Sequence, residues 1–237
     1  MKNKLLKVIA TLMFTFSTTY LFAGNFNVGI LGSLSTVEAD GTETTYNAGA
    51  TSDKNTGTAR NANTILGSVY AEYEASNGFA FGIEYMPGSA DVSDKVKERT
   101  ETPLSITSSA AVQTTSVTRQ AQAEIEDYTV LYAEAPVFAN GMFIRLGIAQ
   151  LDVNTTENLA SNSGSYGNAK LDGINFGAGI KGNMSWNDNV AYKFYLEKTS
   201  FDTLHLTSSG NSVATETNTI EADLDVASVK FGLGYKF

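Results

Sequence analysis

The chain has 237 residues, of which 16 are basic and 25 acidic, so its formal net charge at pH 7 is −9. This acidic balance disfavours nucleic-acid binding, which needs a basic face. The chain has no cysteine, which excludes disulfides, thiolate metal sites, a cysteine nucleophile and a lipidated N-terminal cysteine.

The first 23 residues have the layout of a secretory signal peptide. Lys2, Lys4 and Lys7 form a basic segment, an apolar stretch follows over residues 8–22, and Ala23 precedes a cleavage point. A retained membrane anchor is the alternative, but the apolar stretch is short and rich in Thr. We therefore predict export through the Sec pathway and a mature domain over residues 24–237. This domain has 13 basic and 25 acidic residues, a net charge of −12.

Eight segments of the mature domain alternate apolar residues with small, polar or charged ones, as strands with two different faces do. The predicted strands span residues 25–37, 63–75, 79–92, 120–134, 142–155, 169–182, 189–203 and 219–237. After the signal peptide no apolar run approaches the ~20 residues that a membrane helix needs, but an exported chain can also span a membrane as a closed barrel.

The fourth predicted strand has two alternative face assignments. Its outward residues are either Ile125, Thr129, Leu131 and Ala133, or Tyr128, Val130 and Tyr132. The first assignment is preferred because it places the glutamates of this strand inside: Glu124, Glu126 and Glu134. It leaves Asp127 facing outward, which suits only a position near a headgroup boundary.

The predicted connections alternate between long and short. They span residues 38–62, 76–78, 93–119, 135–141, 156–168, 183–188 and 204–218. In the connection 76–78, Gly78 stands where a three-residue hairpin loop requires a left-handed residue, which predicts that Tyr70 pairs with Glu84. An up-and-down barrel in the outer membrane alternates loop lengths in this way, with short turns in the periplasm and long loops outside.

The last eleven residues, 227–237, are apolar or aromatic at every second position and end on an aromatic residue. Four of them form a candidate C-terminal assembly signal: Phe231, Leu233, Tyr235 and Phe237. In this strand the chain resembles bacterial outer-membrane β-barrel proteins, and its strand number makes it similar to their eight-stranded OmpA and OmpX type. The resemblance implies that the barrel-assembly machinery reads the terminal residues. Unlike OmpA, the chain shows no periplasmic peptidoglycan-binding domain after the predicted barrel.

Two groups of side chains follow from the assigned faces. Inward-facing charges of both signs are predicted to form a lumen charge network: Glu72, Glu84, Arg145, Lys181, Lys193, Glu197 and Lys230. Outward-facing aromatic residues near the short turns are predicted to form an aromatic girdle: Phe26, Tyr73, Phe79, Phe138, Phe143, Trp186, Tyr192, Tyr235 and Phe237. An eight-stranded barrel is just wide enough inside for side chains, so the charges are expected to pair across it.

The sequence thus predicts an all-β fold, an eight-stranded antiparallel up-and-down transmembrane β-barrel with an occluded lumen. Its expected role is structural or surface-interactive, as a monomer in outer-membrane lipid that meets the assembly machinery and an unidentified extracellular partner. The alternatives are a narrow porin-like channel, a lipid-modifying outer-membrane enzyme and a soluble periplasmic β-protein. His205, the only histidine, lacks the Ser two residues on that the resembled lipid A deacylases have. No catalytic, cofactor or metal site is predicted.

Overall fold

The computed structural model describes residues 24–47, 50–95, 97–101, 104–107, 110–113, 117–138, 140–158, 165–209 and 218–237. The predicted signal peptide lies outside the described residues. No helix in these ranges has the length and the hydropathy to cross a membrane. Eight long strands dominate the described chain: β1 (Gly24–Asn47), β2 (Ala50–Ala75), β3 (Ala80–Met86), β4 (Val117–Pro136), β5 (Met142–Asn158), β6 (Ala169–Met184), β7 (Asn187–Phe201) and β8 (Thr219–Lys236).

The eight strands form a closed wall. Each strand pairs antiparallel with its neighbour in sequence, and β8 pairs back onto β1 from Asn27 opposite Lys236 to Thr44 opposite Thr219. The predicted fold class, an eight-stranded antiparallel up-and-down barrel, is therefore confirmed for the described residues. The short connections after β2, β4 and β6 lie at one end of the barrel, here called the short-turn end; their described residues are 76–79, 137–138, 140–141 and 185–186. The opposite end is the long-loop end.

Several predicted loops at the long-loop end are instead sheet. β1 and β2 stay paired up to Asn47 and Ala50, so most of the predicted loop 38–62 is a long hairpin. Three shorter segments extend the wall in the same way: Ala90–Asp91 and Lys97–Glu101 pair with β4, and Leu204–Thr207 pairs with β8. Two further segments, Leu104–Thr107 and Ala110–Gln113, pair with each other and form a separate hairpin. Threonine is abundant over residues 38–62 and fits a pleated surface well, so a polar composition did not mean irregular backbone there.

The turn at residues 76–79 confirms the predicted register between β2 and β3. Gly78 has φ of 86°, the left-handed conformation that this position was expected to need. The predicted partners Tyr70 and Glu84 lie opposite each other. The predicted strand 79–92 is interrupted rather than continuous: β3 ends at Met86, directly before Pro87, which has no N–H to donate to a ladder, and pairing with β4 resumes at Ala90–Asp91.

A bulge in β4 changes which residues face inward. The register with β5 shifts between Glu126 and Thr129, and Asp127 has φ of 51° and accepts a hydrogen bond from the Tyr85 hydroxyl (2.6 Å). On the short-turn side of the bulge, Leu131 faces outward, as predicted. On its long-loop side, Ile125 is fully buried inside the barrel. The outward assignment of Ile125 and the inward assignment of Glu124 and Glu126 are therefore wrong, since one extra residue reverses the alternation.

The outer face of the wall carries a band of exposed apolar residues. From the short-turn end to about the middle of each strand, residues of all eight strands contribute: Val28, Ile30, Leu34, Ile65, Val69, Ile83, Leu131, Ile144, Leu146, Ile174, Phe176, Ile180, Phe194, Leu196, Val229, Phe231 and Leu233. We call this set the apolar belt. The most exposed member, Ile65, has 82% of its surface accessible. Above the belt the outward positions are polar or charged, as at Asp152, Asp172 and Asp223.

Candidate functional site

The part of the interior nearest the short-turn end holds a cluster of charged side chains from seven wall strands. Strand alternation points each of them inward, beneath the apolar belt on the other face. Among the described residues the cluster has five basic and five acidic members: Arg145, Lys181, Lys193, Lys230, Lys236, Glu72, Glu74, Glu84, Glu134 and Glu197. We call this set the charged cluster. Because the two signs balance, burial of the charged cluster places no net charge in the interior of the barrel.

Arg145 on β5 lies at the centre of the charged cluster and is 1% exposed. Its Nη2 donates to Glu84 Oε2 (2.7 Å), while its Nε lies 3.5 Å from Glu197 and Nη1 lies 3.9 Å from Glu134. Its guanidinium also stacks on the Tyr132 ring at 3.6 Å from the ring centroid. A planar guanidinium can stack flat on an aromatic ring while its N–H groups reach carboxylates on three strands, a geometry that a lysine ammonium cannot reproduce.

The buried lysines link the carboxylates on either side of Arg145. Lys193 contacts Glu72 and donates to Glu134 (2.8 Å). Lys230 contacts Glu84 and lies 2.7 Å from Glu197. The cluster is therefore one continuous network rather than a set of separate pairs, and removal of one member leaves charges in several pairs uncompensated.

Neutral polar side chains complete the shell around the charges. The Tyr132 hydroxyl donates to Glu72 (3.0 Å), and the Tyr195 hydroxyl donates to Glu84 (2.9 Å). Asn175 accepts from Arg145 Nε at 3.3 Å. Glu197 is the exception, since neither of its oxygens accepts a hydrogen bond of good geometry from a residue that the structure describes, and its contacts with Lys230 and Arg145 there are ionic.

Glycine at some inward positions lets these large side chains fit inside a narrow barrel. A Cβ on Gly179 would lie 2.2 Å from the backbone oxygen of Phe194 and 2.4 Å from Tyr195 Cβ. Because neither of these atoms can move freely, a side chain at position 179 would displace the neighbouring strand. The glycine thus permits the close approach of β6 and β7 beside Tyr195.

Towards the long-loop end the interior changes from charged to apolar. Val37, Ile125, Leu151 and Val153 are almost fully buried there, and we call the whole set the apolar core: Val37, Leu66, Met86, Ala90, Val92, Ile125, Tyr128, Val130, Tyr132, Ala149, Leu151, Val153, Leu171, Phe201, Leu204, Leu206, Ala222, Leu224 and Val226. The expectation of a charged lumen therefore describes only one half of the interior. The apolar half was missed because the strands were treated as having one polarity throughout.

The structure brings together all seven residues of the predicted lumen charge network. Glu134 was placed inside but not included in the network, although it contacts Lys181 and Lys193. Glu74 and Lys236 were likewise omitted, yet they form an ion pair of 2.9 Å. Continued alternation along β2, β4 and β8 was the signal that could have identified these three residues.

The predicted girdle and terminal residues lie on the outer face. Phe26, Trp186, Phe231, Leu233, Tyr235 and Phe237 are exposed, while Tyr73, Phe79 and Tyr192 are partly buried. Tyr235 and Phe237 contact each other edge to face, with ring centroids 5.1 Å apart. Phe143 was also expected to face outward, which is wrong, since it is buried inside against Tyr195. The roles of these residues as a girdle and an assembly signal stay predictions.

His205 lies on the exposed surface of segment Leu204–Thr207, with its Nδ1 3.5 Å from Glu221. In the described ranges no group of three or more His, Asp or Glu side chains is arranged to hold a metal ion. The prediction that the chain is not an enzyme stays a prediction.

No protein-family model matches the chain, and no curated protein sequence matches it. Solved structures that are similar in outline include AlkL, OprG and Ail. The outer membrane protein AlkL, determined in DMPC lipid bilayers, is 13% identical over 91% of this chain and 90% of its own, with a TM-score of 0.47. OprG from Pseudomonas aeruginosa is 13% identical over 91% and 96%, with a TM-score of 0.46. Ail, the attachment invasion locus protein of Yersinia pestis, is 14% identical over 91% and 100%, with a TM-score of 0.37.

Proposed function

We propose that this chain is an outer-membrane β-barrel protein with a sealed interior, which acts through its wall and its long-loop end rather than as a channel. The observation that carries the proposal is the filled interior, which combines the charged cluster with the apolar core. The short-turn end faces the periplasm in this proposal, and the long β1–β2 hairpin faces the outside of the cell.

The apolar belt supports a position within a membrane. Large side chains such as Ile65, Phe176 and Phe231 are exposed on the outer face, whereas charged side chains fill the interior behind them. A protein in water would place these two sets the other way round. Closure of the wall between β1 and β8 also removes the unpaired strand edges that a bilayer does not tolerate.

The belt gives a prediction for the terminal strand. Leu233→Arg should destabilise the inserted barrel, by about 2–4 kcal/mol at the level of the bilayer midplane and by less towards the headgroups, because it places a charge on the lipid-facing surface. Glu221→Arg is the matched control, since Glu221 faces outward on the same strand but lies above the belt. The measurement is urea unfolding in lipid vesicles. Equal stability of the Leu233→Arg and Glu221→Arg variants would contradict the outward, lipid-facing position of Leu233.

The charged cluster and the apolar core together support the proposal that no water path crosses the interior. Arg145, Lys193 and Lys230 are each at most 2% exposed, and a water path past them would separate several desolvated ion pairs at once. Above them, Ile125 and Leu151 are fully buried in the apolar core. Water would therefore have to cross a charged layer and then a packed apolar one.

Electrical recording tests the sealed interior directly. The purified barrel in planar lipid bilayers should show little or no steady conductance, because the interior side chains leave no continuous aqueous path. A pore-forming barrel of known conductance serves as the control for insertion. Large, stable single-channel openings would refute the sealed interior and favour the alternative of a narrow channel.

A further inference from the structure

The ladder between β2 and β3 is short and stops well before the long-loop end. It pairs residues 69–74 with residues 80–85, whereas the ladder on the other edge of β2, with β1, continues up to Ala50. In the described chain no ladder joins residues 61–68 of β2 to residues 86–93. We call the boundary between these two stretches the seam.

Residues 86–93 stay beside β4 while they lose contact with β2. Ala90 and Asp91 pair with β4, and the Val92 N–H donates to the Ala123 carbonyl (2.8 Å). The wall is therefore intact on the β4 side of these residues and interrupted on the β2 side.

Three irregularities of the backbone meet at the level of the seam. Pro87 follows the end of β3 and has no N–H for a ladder. The register of β2 against β1 shifts between Thr64 and Asn61, and the register of β4 shifts at the bulge that contains Asp127. Because bulges bend and twist the strands that carry them, β2 and the residues after β3 diverge here.

The two sides of the seam nevertheless have equal lengths. The ladder on the short-turn side ends with Val69 opposite Tyr85. On the long-loop side, the Asp94 N–H donates to the Arg60 carbonyl (3.2 Å) and spans the seam. Eight residues lie between these two contacts on each strand, so the ladder can be completed without a slip of either strand.

The side-chain faces also agree across the seam. In the register set by Val69 and Tyr85, Ser68 lies opposite Met86, and both are buried inside the barrel. In the same register Ile65 lies opposite Ser89, and both are exposed on the outer face. A closed ladder would thus keep every one of these side chains on the face that it already occupies.

The parted seam leaves polar groups without partners. Thr64 Oγ1 is buried there and has no hydrogen-bond partner among the described residues. Unpaired polar groups of this kind cost free energy, which favours closure. Pro87 and the two bulges oppose closure, because they disturb the strand geometry that a continuous ladder needs.

Hydrogen bonds hold the long-loop end together on the other side of the barrel. The Ser209 N–H donates to the Ser165 carbonyl (2.8 Å), and the Ser165 N–H donates to Ser209 Oγ (2.9 Å). The Tyr166 hydroxyl donates to Glu43 Oε1 (3.1 Å). These bonds join the connection after β5 to β1 and to the chain after β7, so movement of the long-loop end is expected at the seam.

The seam adjoins both the apolar belt and the apolar core. Ile65, the most exposed member of the belt, lies on its outer side. Core residues of both strands lie on its inner side: Leu66, Met86, Ala90 and Val92. Parting of the seam therefore brings the core to the outer boundary of the belt through the side of the wall, and not along the barrel axis.

From these observations we infer that the seam is a gate in the wall. The gate closes when the β2–β3 ladder extends from Val69 to Arg60 in the register already present, and it opens when the two strands part along this line. The inference rests on the proposed function, because the gate gives two shapes to the long-loop end through which we propose that the protein acts.

The test is disulfide formation across the seam, in a chain that has no cysteine of its own. Ile65→Cys/Ser89→Cys, with the barrel in lipid vesicles and copper phenanthroline as the oxidant, should cross-link completely. The reaction should be at least about tenfold slower than for Ala71→Cys/Ile83→Cys, a matched pair that is opposed in the existing ladder. Gly67→Cys/Ser89→Cys is one ladder step out of register, and its Cα atoms stay too far apart for rapid bonding.

Each of these pairs has an outcome that would overturn the gate. No bond in Ile65→Cys/Ser89→Cys, under conditions that bridge Ala71→Cys/Ile83→Cys, would mean that the seam does not close. Equal rates in these two variants would mean that the seam does not part. Equal rates for Ile65→Cys/Ser89→Cys and Gly67→Cys/Ser89→Cys would mean that the strands meet without a fixed register.

Amide hydrogen exchange gives a second measurement. In the wild type, residues 86–93 should exchange at least about tenfold faster than residues 80–85, and in Ile65→Cys/Ser89→Cys the formed disulfide should slow exchange over residues 61–68 by a similar factor. Equal exchange in the oxidised and reduced forms would overturn the gate. Conductance and insertion test the sealed membrane barrel separately, so failure of the gate leaves that proposal standing.

Discussion

Replacement of Arg145 by alanine is expected to destabilise the folded barrel by about 3–5 kcal/mol. The variant removes the positive charge that Glu84, Glu134 and Glu197 share inside the wall. Those carboxylates are too deeply buried to recover hydration, so the cost comes from uncompensated charge rather than from one lost hydrogen bond. The measurement is the free energy of unfolding in urea, with the barrel in lipid vesicles.

Two further variants separate charge from shape at this position. Arg145→Lys keeps the positive charge but loses the stacking on Tyr132 and the simultaneous contacts, so its loss should fall between wild type and Arg145→Ala. Lys198→Ala removes a cation from an exposed pair with Asp225 (2.8 Å) and should cost at most about 1 kcal/mol. If Arg145→Ala unfolds at the same urea concentration as Lys198→Ala, the charged cluster does not stabilise the interior.

Leu151→Ala is expected to cost about 2–5 kcal/mol, because it opens a cavity within the apolar core. Leu151 is fully buried on the inner face of β5 and packs within the cluster that also contains Ile125 and Val153. Its neighbours come from several strands whose positions the barrel wall holds, so the space cannot close by collapse. Urea unfolding in lipid vesicles measures this loss as well.

Leu146→Ala is the matched control on the same strand, with the same chemical change on the outer face. Leu146 is 42% exposed in the apolar belt. The side chain lies on the exposed outer face, where the surrounding medium, lipid in the proposed membrane position, can occupy the space it leaves, so the cavity term is absent and the loss should be smaller than for Leu151→Ala. Equal losses in the two variants would show that the long-loop half of the interior is not tightly packed.

The alternation of apolar residues in the sequence also indicates the level at which the interior changes from charged to apolar, although a charged interior was predicted throughout. In β8 the apolar residues Val229, Phe231 and Leu233 occupy odd positions, whereas Leu224 and Val226 occupy even ones. The change of phase marks the level at which the apolar belt on the outer face ends and the apolar core inside begins. In β5 the apolar set changes face in the same way, from Leu146 and Ile148 to Leu151 and Val153.

Other features could not be predicted from the pattern of single strands. The bulge at Asp127 adds one residue to β4, and no turn residue such as glycine marks it in the sequence. The partners of Arg145 come from strands distant in sequence, so alternation shows that Glu84 and Glu197 face inward but not which cation each will meet. The seam beside β2 depends on irregularities in β2, in β4 and at Pro87 that meet at one level of the wall, which no single strand reveals.

The pairing of β1 with β8 has a consequence for the order of folding. The hairpin of β1 and β2 joins neighbouring segments and can form at low entropic cost, whereas the contact of Asn27 with Lys236 must bring together opposite ends of the domain. Until β8 has been synthesised and delivered, β1 and β7 both remain open edges that can pair with other chains. The residues made last therefore decide when those made first acquire their second neighbour.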